Sequence, residues 1–262
     1  MEVSLKQLSM KEQAALIKLD ILLRAEDEIK EDQVNTATLI RFLRAHNFSA
    51  EAAQRAILDH LTWSSKLSKE FMTNTITAKG AEFSKQFHVH FYGNDTKGRP
   101  ICLIRPNEFN PDNFLSKFTV DEVIILMSTS INRLINDVFP AYSEKYKRTI
   151  YSVVCVIDIK NLPVSKIITN KDLLDFAQKL SGVFQSNFPE IMHKFIIVNA
   201  SSFFWALYHI VSLFVSKKTA EKGTVLSTDY LSELVKHAPL DQWPHSLGGS
   251  CPYEEDKYPN CF

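Results

Sequence analysis

Few residues in this sequence have the types and spacing that chemistry requires, and two histidines are the first candidates. His88 and His90 lie two apart on a predicted strand, so both imidazoles would point to one face of a sheet. Such a pair can begin a metal site, but no third ligand follows at a suitable spacing. Asp158 ends a predicted buried strand, where a cap or turn hydrogen bond is its simpler role. We therefore predict no metal site, no catalytic constellation and no cofactor.

The sequence motifs of common enzyme classes are missing. There is no GxGxxG, GxxxxGK[ST] or GxSxG motif, and only 7 glycines are available to form phosphate-cradling loops. The formal net charge is zero, which gives no indication of nucleic-acid binding. The cysteines form no CxxC pair, and we predict reduced thiols of a cytosolic protein, with a Cys251–Cys261 disulfide left open.

The remaining candidates are charges at the two ends of one apolar segment. Glu190 precedes this segment, and a cluster of three lysines (Lys217, Lys218 and Lys222) follows it. Taken singly, each of these is an ordinary solvated surface charge. Between them the pattern predicts a short strand over residues 195–198 and then a helix over residues 202–215.

That predicted helix is apolar around its whole circumference. A surface helix ordinarily carries one apolar stripe, and this run is shorter than the roughly 20 residues that span a bilayer. It is therefore either a core helix or a helix with an apolar cavity on one side and protein or membrane on the other. We favour the second interpretation, because the charged residues lie beyond the two ends of the apolar run and none lies within it. The apolar side chains are Phe203, Phe204, Trp205, Leu207, Tyr208, Ile210, Val211, Leu213, Phe214 and Val215.

The elements that must position these residues fall into two predicted domains. Apolar residues recur at helical spacing over residues 11–30 and 38–46, and Ser49 is a suitable N-cap for a third helix. We predict a small all-α bundle at residues 1–72. Strands then alternate with helices, which predicts an α/β domain with a mostly parallel mixed sheet at residues 73–262. The predicted strands cover residues 89–92, 101–104, 151–159, 195–198 and 224–226, and the helices between them cover residues 120–134 and 173–184.

Five short motifs, in order along the chain, resemble those of the CRAL-TRIO family of lipid-binding proteins. The most specific is Phe188-Pro189-Glu190 followed by KFIIVNA at residues 194–200, which resembles the YPE and IINAP segments of the family. Five ordered matches are specific where any single one would be weak. The other four are LIRFLRA at residues 39–45, Gly98-Arg99-Pro100, DIKN at residues 158–161 and Leu247-Gly248-Gly249.

The resemblance implies an apolar pocket that holds one lipid and is closed by a mobile gate helix. In family members that bind phosphatidylinositol, a glutamate, a threonine and a lysine contact the head group, and the matching positions are Glu190, Thr219 and Lys222. An ammonium pairs with a phosphate, a hydroxyl donates, and a carboxylate accepts from inositol hydroxyls. The implied gate residues are Phe203, Phe204, Leu207, Tyr208, Val211 and Phe214, and the implied pocket floor is Val153, Cys155 and Ile157.

The chain departs from the family pattern at positions that bear on the ligand. The basic pair that follows LRA in the family is replaced by His46-Asn47. The hydroxyl groups that serve phosphatidylcholine in members with two ligands fall on Val153 and Cys155. The sequence therefore favours phosphatidylinositol over a choline lipid.

We accordingly expect a non-enzymatic, monomeric, cytoplasmic protein that binds one phospholipid and exchanges it during transient, peripheral contact with a membrane. Phosphatidylinositol is the favoured ligand, and no nucleic acid is expected as a partner. Two alternatives stay open. One is a carrier of a neutral hydrophobe such as a tocopherol, retinoid or sterol-like molecule, and the other is a lipid-sensing module that recruits a protein partner.

Overall fold

The computed structural model describes residues 8–26, 29, 34–67, 69–106 and 109–251. Three helices form a bundle at the start of the chain, and each begins at a polar side chain that accepts a backbone N–H from its first turn. The predicted cap Ser49 is one of these side chains. The first helix ends at Arg24, earlier than the periodicity predicts. The three are α1 (Met10–Arg24), α2 (Thr36–Ala45) and α3 (Ala50–Lys66).

A fourth helix, α4 (Lys69–Gln86), joins this helical bundle to the sheet. No helix is predicted there, because the segment shows little apolar periodicity. Phe83 is nonetheless only 2% exposed and packs in the core beside the sheet, and Ile76 packs against the same core. The helix runs across residue 72, where we divide the chain, and the division itself stays a prediction.

The sheet has five strands in the order β1-β2-β3-β4-β5. The first pair is antiparallel and the other three pairs are parallel, so the predicted mostly parallel mixed sheet is confirmed. The central strand is the continuous apolar run around residue 155, as expected for a strand that is buried on both faces. The strands are β1 (Phe87–Asn94), β2 (Pro100–Pro106), β3 (Val153–Asp158), β4 (Met192–Val198) and β5 (Gly223–Val225).

The period of two along each strand sends alternate side chains to two different cores. Ile101 and Leu103 face a smaller core that is closed by the fully buried Trp243. Cys102 faces the larger core on the opposite side of the sheet. The smaller core is covered by a helix at Leu231–His237 and two 3-10 turns at Leu240–Gln242 and His245–Leu247.

The larger core is covered by helices that follow β2 and β3 and by the apolar helix that follows β4. The first long helix begins at a Thr119–Glu122 capping box and continues through a π-helical turn at Leu134–Val138. All described α-helices that follow β2, on both faces of the sheet, are in chain order α5 (Pro111–Lys117), α6 (Val120–Arg133), α7 (Phe139–Tyr146), α8 (Val164–Thr169), α9 (Lys171–Asn187), α10 (Phe204–Ser212), α11 (Lys217–Ala220) and α12 (Leu231–His237).

Candidate ligand-binding cavity

A cavity of about 930 Å³ lies between the sheet, α6, α9 and the helical bundle. Its walls are mostly apolar, and the strands contribute the side chains that alternation sends away from Trp243. A concave apolar space with a few polar groups at one place is the usual form of a small-molecule site. The strand residues of the wall are Val89, Phe91, Cys102, Ile104, Val153 and Cys155; α6 adds Met127, Ser130 and Ile131, and the π-helical turn adds Leu134.

The helical bundle supplies one wall of the cavity through α3 and the end of α2. His60 stacks on Trp63 with ring centroids 5.8 Å apart, and its Nδ1 lies 3.2 Å from the side-chain oxygen of Asn187. Burial lowers the pKa of His60, with a smaller opposing effect from Asn187, so the imidazole is neutral near pH 7. The bundle therefore lines the cavity with aromatic, aliphatic and neutral imidazole groups and with one carboxylate, that of Asp59. Its lining residues are Ala45, His46, Ala56, Asp59, His60 and Trp63.

Charged and hydroxyl groups gather at one end of the cavity, which we call the mouth and define by Glu190, Lys218, Thr219 and Lys222. The Oε1 atom of Glu190 lies 2.9 Å from Lys218 Nζ, and its Oε2 atom lies 3.0 Å from Lys222 Nζ. The carboxylate is thus held between two ammonium groups. The loop after α9 and the segment around α11 meet here because β4 and β5 are hydrogen-bonded neighbours.

Glu190 combines an uncommon backbone conformation with a shifted pKa. Its φ angle of +59° lies in the left-handed region, which residues other than glycine seldom adopt and which is common at functional sites. Burial raises the pKa of the carboxyl group, but hydrogen bonds and charge interactions with Lys218 and Lys222 outweigh it and lower the pKa below its usual 4.5. The group is therefore a carboxylate near neutral pH.

The lowered pKa leads to a pH-dependent prediction for Glu190→Gln. A carboxyl group whose pKa is lower in the folded protein stabilises the fold above its unfolded pKa of 4.5, and that contribution disappears as the pH falls below 4.5. We expect the variant to lose about 1 kcal/mol of unfolding free energy at neutral pH and clearly less in acid. Urea unfolding of the wild type and of Glu190→Gln, at neutral pH and at a pH well below 4.5, measures this difference. An equal loss at both would contradict the ion-pair explanation.

Thr219 lies on α11, a single turn capped by Ser216. The side chain of Ser216 accepts the backbone N–H of Thr219 at 3.2 Å, and the two hydroxyl oxygens are 2.9 Å apart. Ser216 is in turn held by Gln185 of α9, whose Oε1 accepts its backbone N–H at 2.7 Å. Thr219 therefore lines the mouth on a segment that is tied to the cavity wall.

The apolar helix is α10, and it is shorter than predicted. Phe204 and Leu207 are buried against the larger core, and Tyr208 and Val211 pack against that core. Within residues 202–215, the span of the predicted helix, Val215 lines the cavity and the six predicted gate residues do not. Their role in a gate remains a prediction. Phe214 lies just beyond the helix, and its carbonyl accepts hydrogen bonds from Ser181 and Gln185 of α9.

The opposite side of α10 is exposed although, apart from His209, it is apolar. Phe203 at the start is 71% exposed, Trp205 is 52% exposed, and Leu213 just after the last turn is 72% exposed. One side of this helix is thus buried in the protein and the other side faces outwards.

The predicted pocket floor on β3 is only partly part of the cavity wall. Val153 and Cys155 line the cavity, whereas Ile157, further along β3, packs against the larger core.

Both histidines of the predicted pair lie on β1, as expected from the sequence. The rings of His88 and His90 are 6.1 Å apart, and among the described residues there is no cluster of three or more His, Cys, Asp or Glu residues. Asp158 pairs with Arg105 at 3.3 Å and accepts a hydrogen bond from Asn199 at 2.7 Å, which is the structural role that its strand-end position suggests.

Comparison with known proteins agrees with this architecture. The family model of the CRAL/TRIO domain matches residues 84–249, which is well over half of the chain. The chain belongs to the CRAL/TRIO domain family. Its fold is also similar to that in the crystal structure of Sfh5, with a TM-score of 0.63 over 95% of this chain and 91% of that one at 15% sequence identity. None of the helices described here is long and apolar enough to cross a membrane.

Several curated proteins resemble most of the chain at modest identity. The phosphatidylinositol/phosphatidylcholine transfer protein SFH9 of Arabidopsis thaliana is 26% identical over 90% of this chain and 40% of its own length. Its relative SFH12 is 28% identical over 81% of this chain and 39% of its own length. The Sec14 cytosolic factor of Schizosaccharomyces pombe is 24% identical over 84% of this chain and 76% of its own. The chain thus spans about two fifths of the Arabidopsis relatives.

Sequence reasoning missed two parts of the site. It did not identify the cavity walls formed by α6 and α9, because their inward side chains look like ordinary core residues. It also did not assign Lys218 a partner, because Glu190 lies far from it in the sequence. The Lys217–Lys218–Lys222 cluster was the available signal, but spacing alone does not show which lysine faces inwards.

Proposed function

We propose that this protein binds one phospholipid in the cavity and exchanges it at membrane surfaces, with phosphatidylinositol as the favoured ligand and no bond broken. The observation that carries the proposal is the combination of a cavity of about 930 Å³ with apolar walls and a charged mouth. Acyl chains gain about 0.8 kcal/mol for each buried methylene group, so apolar walls provide affinity. The charged mouth provides a place for a polar head group.

The choice of head group is supported by the groups at the mouth and by those missing from the floor. Lys222 and Thr219 offer donors to a phosphate, and Glu190 offers acceptors to inositol hydroxyls. Val153 and Cys155 place apolar and thiol groups in the wall where hydroxyl groups would favour a choline lipid. The transfer proteins of Arabidopsis thaliana that resemble this chain are named for both lipids, and we propose the first of them for this chain.

Exchange requires the cavity to meet a membrane, and α10 suggests how. Its buried side rests on the larger core, while its outer side presents Phe203, Trp205 and the neighbouring Leu213. We propose that this outer side enters the interfacial layer of a bilayer and that movement of α10 opens the cavity. The association is peripheral and transient, because the contact surface is one short helix.

The proposal is tested by the lipids that co-purify with the protein. We expect mass spectrometry to find phosphatidylinositol in the wild-type extract and at least tenfold less in a Glu190→Ala, Lys222→Ala double variant, because both head-group partners at the inner side of the mouth are lost. A Lys217→Ala, Glu221→Ala variant is the matched control, since that exposed pair is 4.0 Å apart on the same segment. It should retain the lipid.

The other outcomes separate the alternatives. A neutral hydrophobe present equally in wild type and double variant would favour a carrier of tocopherol-like or sterol-like molecules. Tight binding of phosphatidylinositol without transfer between vesicles would favour a lipid-sensing module. Either result would contradict the proposed transfer of phosphatidylinositol while leaving the family assignment untouched.

A further inference from the structure

We propose that Lys218 is a second lysine that binds the phosphodiester of the head group, beside Lys222, whose ammonium also holds Glu190 in place. The inference rests on the proposed function and adds a specificity-determining residue to it. Both classes of lipid carry a phosphodiester, but a zwitterionic one also carries an ammonium group that the positive charge of Lys218 would repel, so Lys218 selects the anionic head group.

The first argument is the balance of charge at the cavity. The cations among its described lining residues are Lys218 and Lys222, and the carboxylates are Glu190 and Asp59. Asp59 lies on the exposed side of α3, where water screens it. Glu190 needs one ammonium for neutrality, so one of its two lysines is a surplus charge available to a phosphate.

The second argument is the difference in burial between the two lysines. The side chain of Lys222 is 19% exposed and that of Glu190 is 15% exposed, which makes them a partly buried pair. An unpaired charge there would be costly, so Lys222 is expected to stay with Glu190. The side chain of Lys218 is 49% exposed, and its ammonium can leave Glu190 for a ligand while remaining hydrated.

The third argument is where Lys218 reaches. Its Nζ donates to the backbone carbonyl of Arg44 at 2.7 Å, so the ammonium lies between the helical bundle and the inner mouth. The bundle itself contributes no cation to the lining: burial and Arg55 lower the pKa of His46, and the guanidinium of Arg44 lies over the rings of Phe48 and Tyr151. Lys218 therefore brings to the bundle side of the mouth a positive charge that the described residues of the bundle do not provide.

The chain contains a matched control in the adjacent residue. Lys217 has the same charge and lies on the same turn, but its side chain is 92% exposed and its partner is Glu221 at 4.0 Å. It contributes to the overall attraction between this segment and an anionic membrane as Lys218 does, yet it does not line the cavity. A comparison of the two variants separates binding in the mouth from attraction to the membrane.

The experiment measures equilibrium loading from vesicles that contain phosphatidylinositol and phosphatidylcholine with identical acyl chains. Lipid extracted from the re-isolated protein is quantified by mass spectrometry, and the ratio of the two lipids is compared among variants. We expect Lys218→Ala to lower the phosphatidylinositol to phosphatidylcholine ratio about tenfold, the lower end for a charged hydrogen bond because the site is half exposed. Lys217→Ala should leave the ratio unchanged, and Lys218→Arg should retain most of the preference.

The remaining outcomes each decide something. Equal ratios for Lys217→Ala and Lys218→Ala, with phosphatidylinositol still preferred, would overturn the role of Lys218 and leave the proposed function standing. A wild-type protein that loads no phosphatidylinositol would overturn both. If inorganic phosphate raises the melting temperature of the wild type but not of Lys218→Ala, while the lipid ratio is the same in both proteins, the ligand is a free anion and the lipid assignment of this lysine is wrong.

Discussion

A Phe203→Ser, Trp205→Ser double variant is expected to transfer phosphatidylinositol between vesicles at least tenfold more slowly than the wild type while holding as much lipid. Both side chains are more than half exposed on the outer side of α10. Aromatic side chains present roughly 150–250 Å² each, so burying half of one in an interface contributes about 2 kcal/mol. Two such losses weaken membrane contact by more than a factor of ten, even when insertion is partial.

Loading and stability should be unaffected, because the anchors of α10 lie on its other side. Phe204 and Leu207 are 6% and 4% exposed, and they hold the helix on the core whether or not its outer side is apolar. The measurement is the rate at which a fluorescent phosphatidylinositol moves between donor and acceptor vesicles, together with lipid content by mass spectrometry. The double variant should show the same melting temperature as the wild type.

The matched control for this experiment lies on α1. Ile17 and Ile21 are 48% and 61% exposed, so an Ile17→Ser, Ile21→Ser variant removes comparable apolar surface elsewhere on the molecule. It should transfer lipid at the wild-type rate. If the two double variants were slowed equally, or if neither were slowed, α10 would not be the membrane-binding surface.

Trp243→Ala is expected to cost about 3–5 kcal/mol of unfolding free energy and to lower the melting temperature by roughly 10 °C. Trp243 is fully buried on the face of the sheet opposite the cavity, and its Nε1 donates to the carbonyl of Ala238 at 2.9 Å. The substitution removes the largest fully buried side chain and leaves a buried carbonyl without its donor.

Two further variants separate these contributions in a urea unfolding series. Trp243→Phe keeps much of the ring volume but loses the hydrogen bond. Its unfolding free energy should therefore lie between those of the wild type and Trp243→Ala. Leu240→Ala, in the adjacent 3-10 turn, alters a side chain that is 47% exposed and should cost less than about 1 kcal/mol. A loss for Trp243→Ala no larger than that of Leu240→Ala would show that the smaller core does not depend on this side chain.

The order and type of most elements follow from the sequence alone. The continuous apolar run around Cys155 predicted the central parallel strand, and Ser49 predicted the start of α3, because burial on both faces and capping are local requirements that leave a local pattern. The ordered motifs from residue 39 to residue 249 predicted the CRAL-TRIO family, and the family model confirms it. The helix α4 was missed because its buried residues (Thr75, Gly80, Phe83 and Gln86) are mostly not apolar, so they form no regular apolar stripe in the sequence.

The cavity and its mouth were decided only by the tertiary structure. Sequence spacing cannot distinguish an apolar residue that fills a core from one that lines an empty space, so Met127 and Phe184 gave no signal of the cavity. The ion pairs of Glu190 with Lys218 and Lys222 form because β4 and β5 lie side by side. The sequence predicted a helix over residues 202–215 that is apolar on all sides. Only the tertiary packing showed that Phe204 faces the core and Trp205 faces outwards. Local pattern therefore determined the elements of this protein, whereas long-range contacts determined which side chains meet.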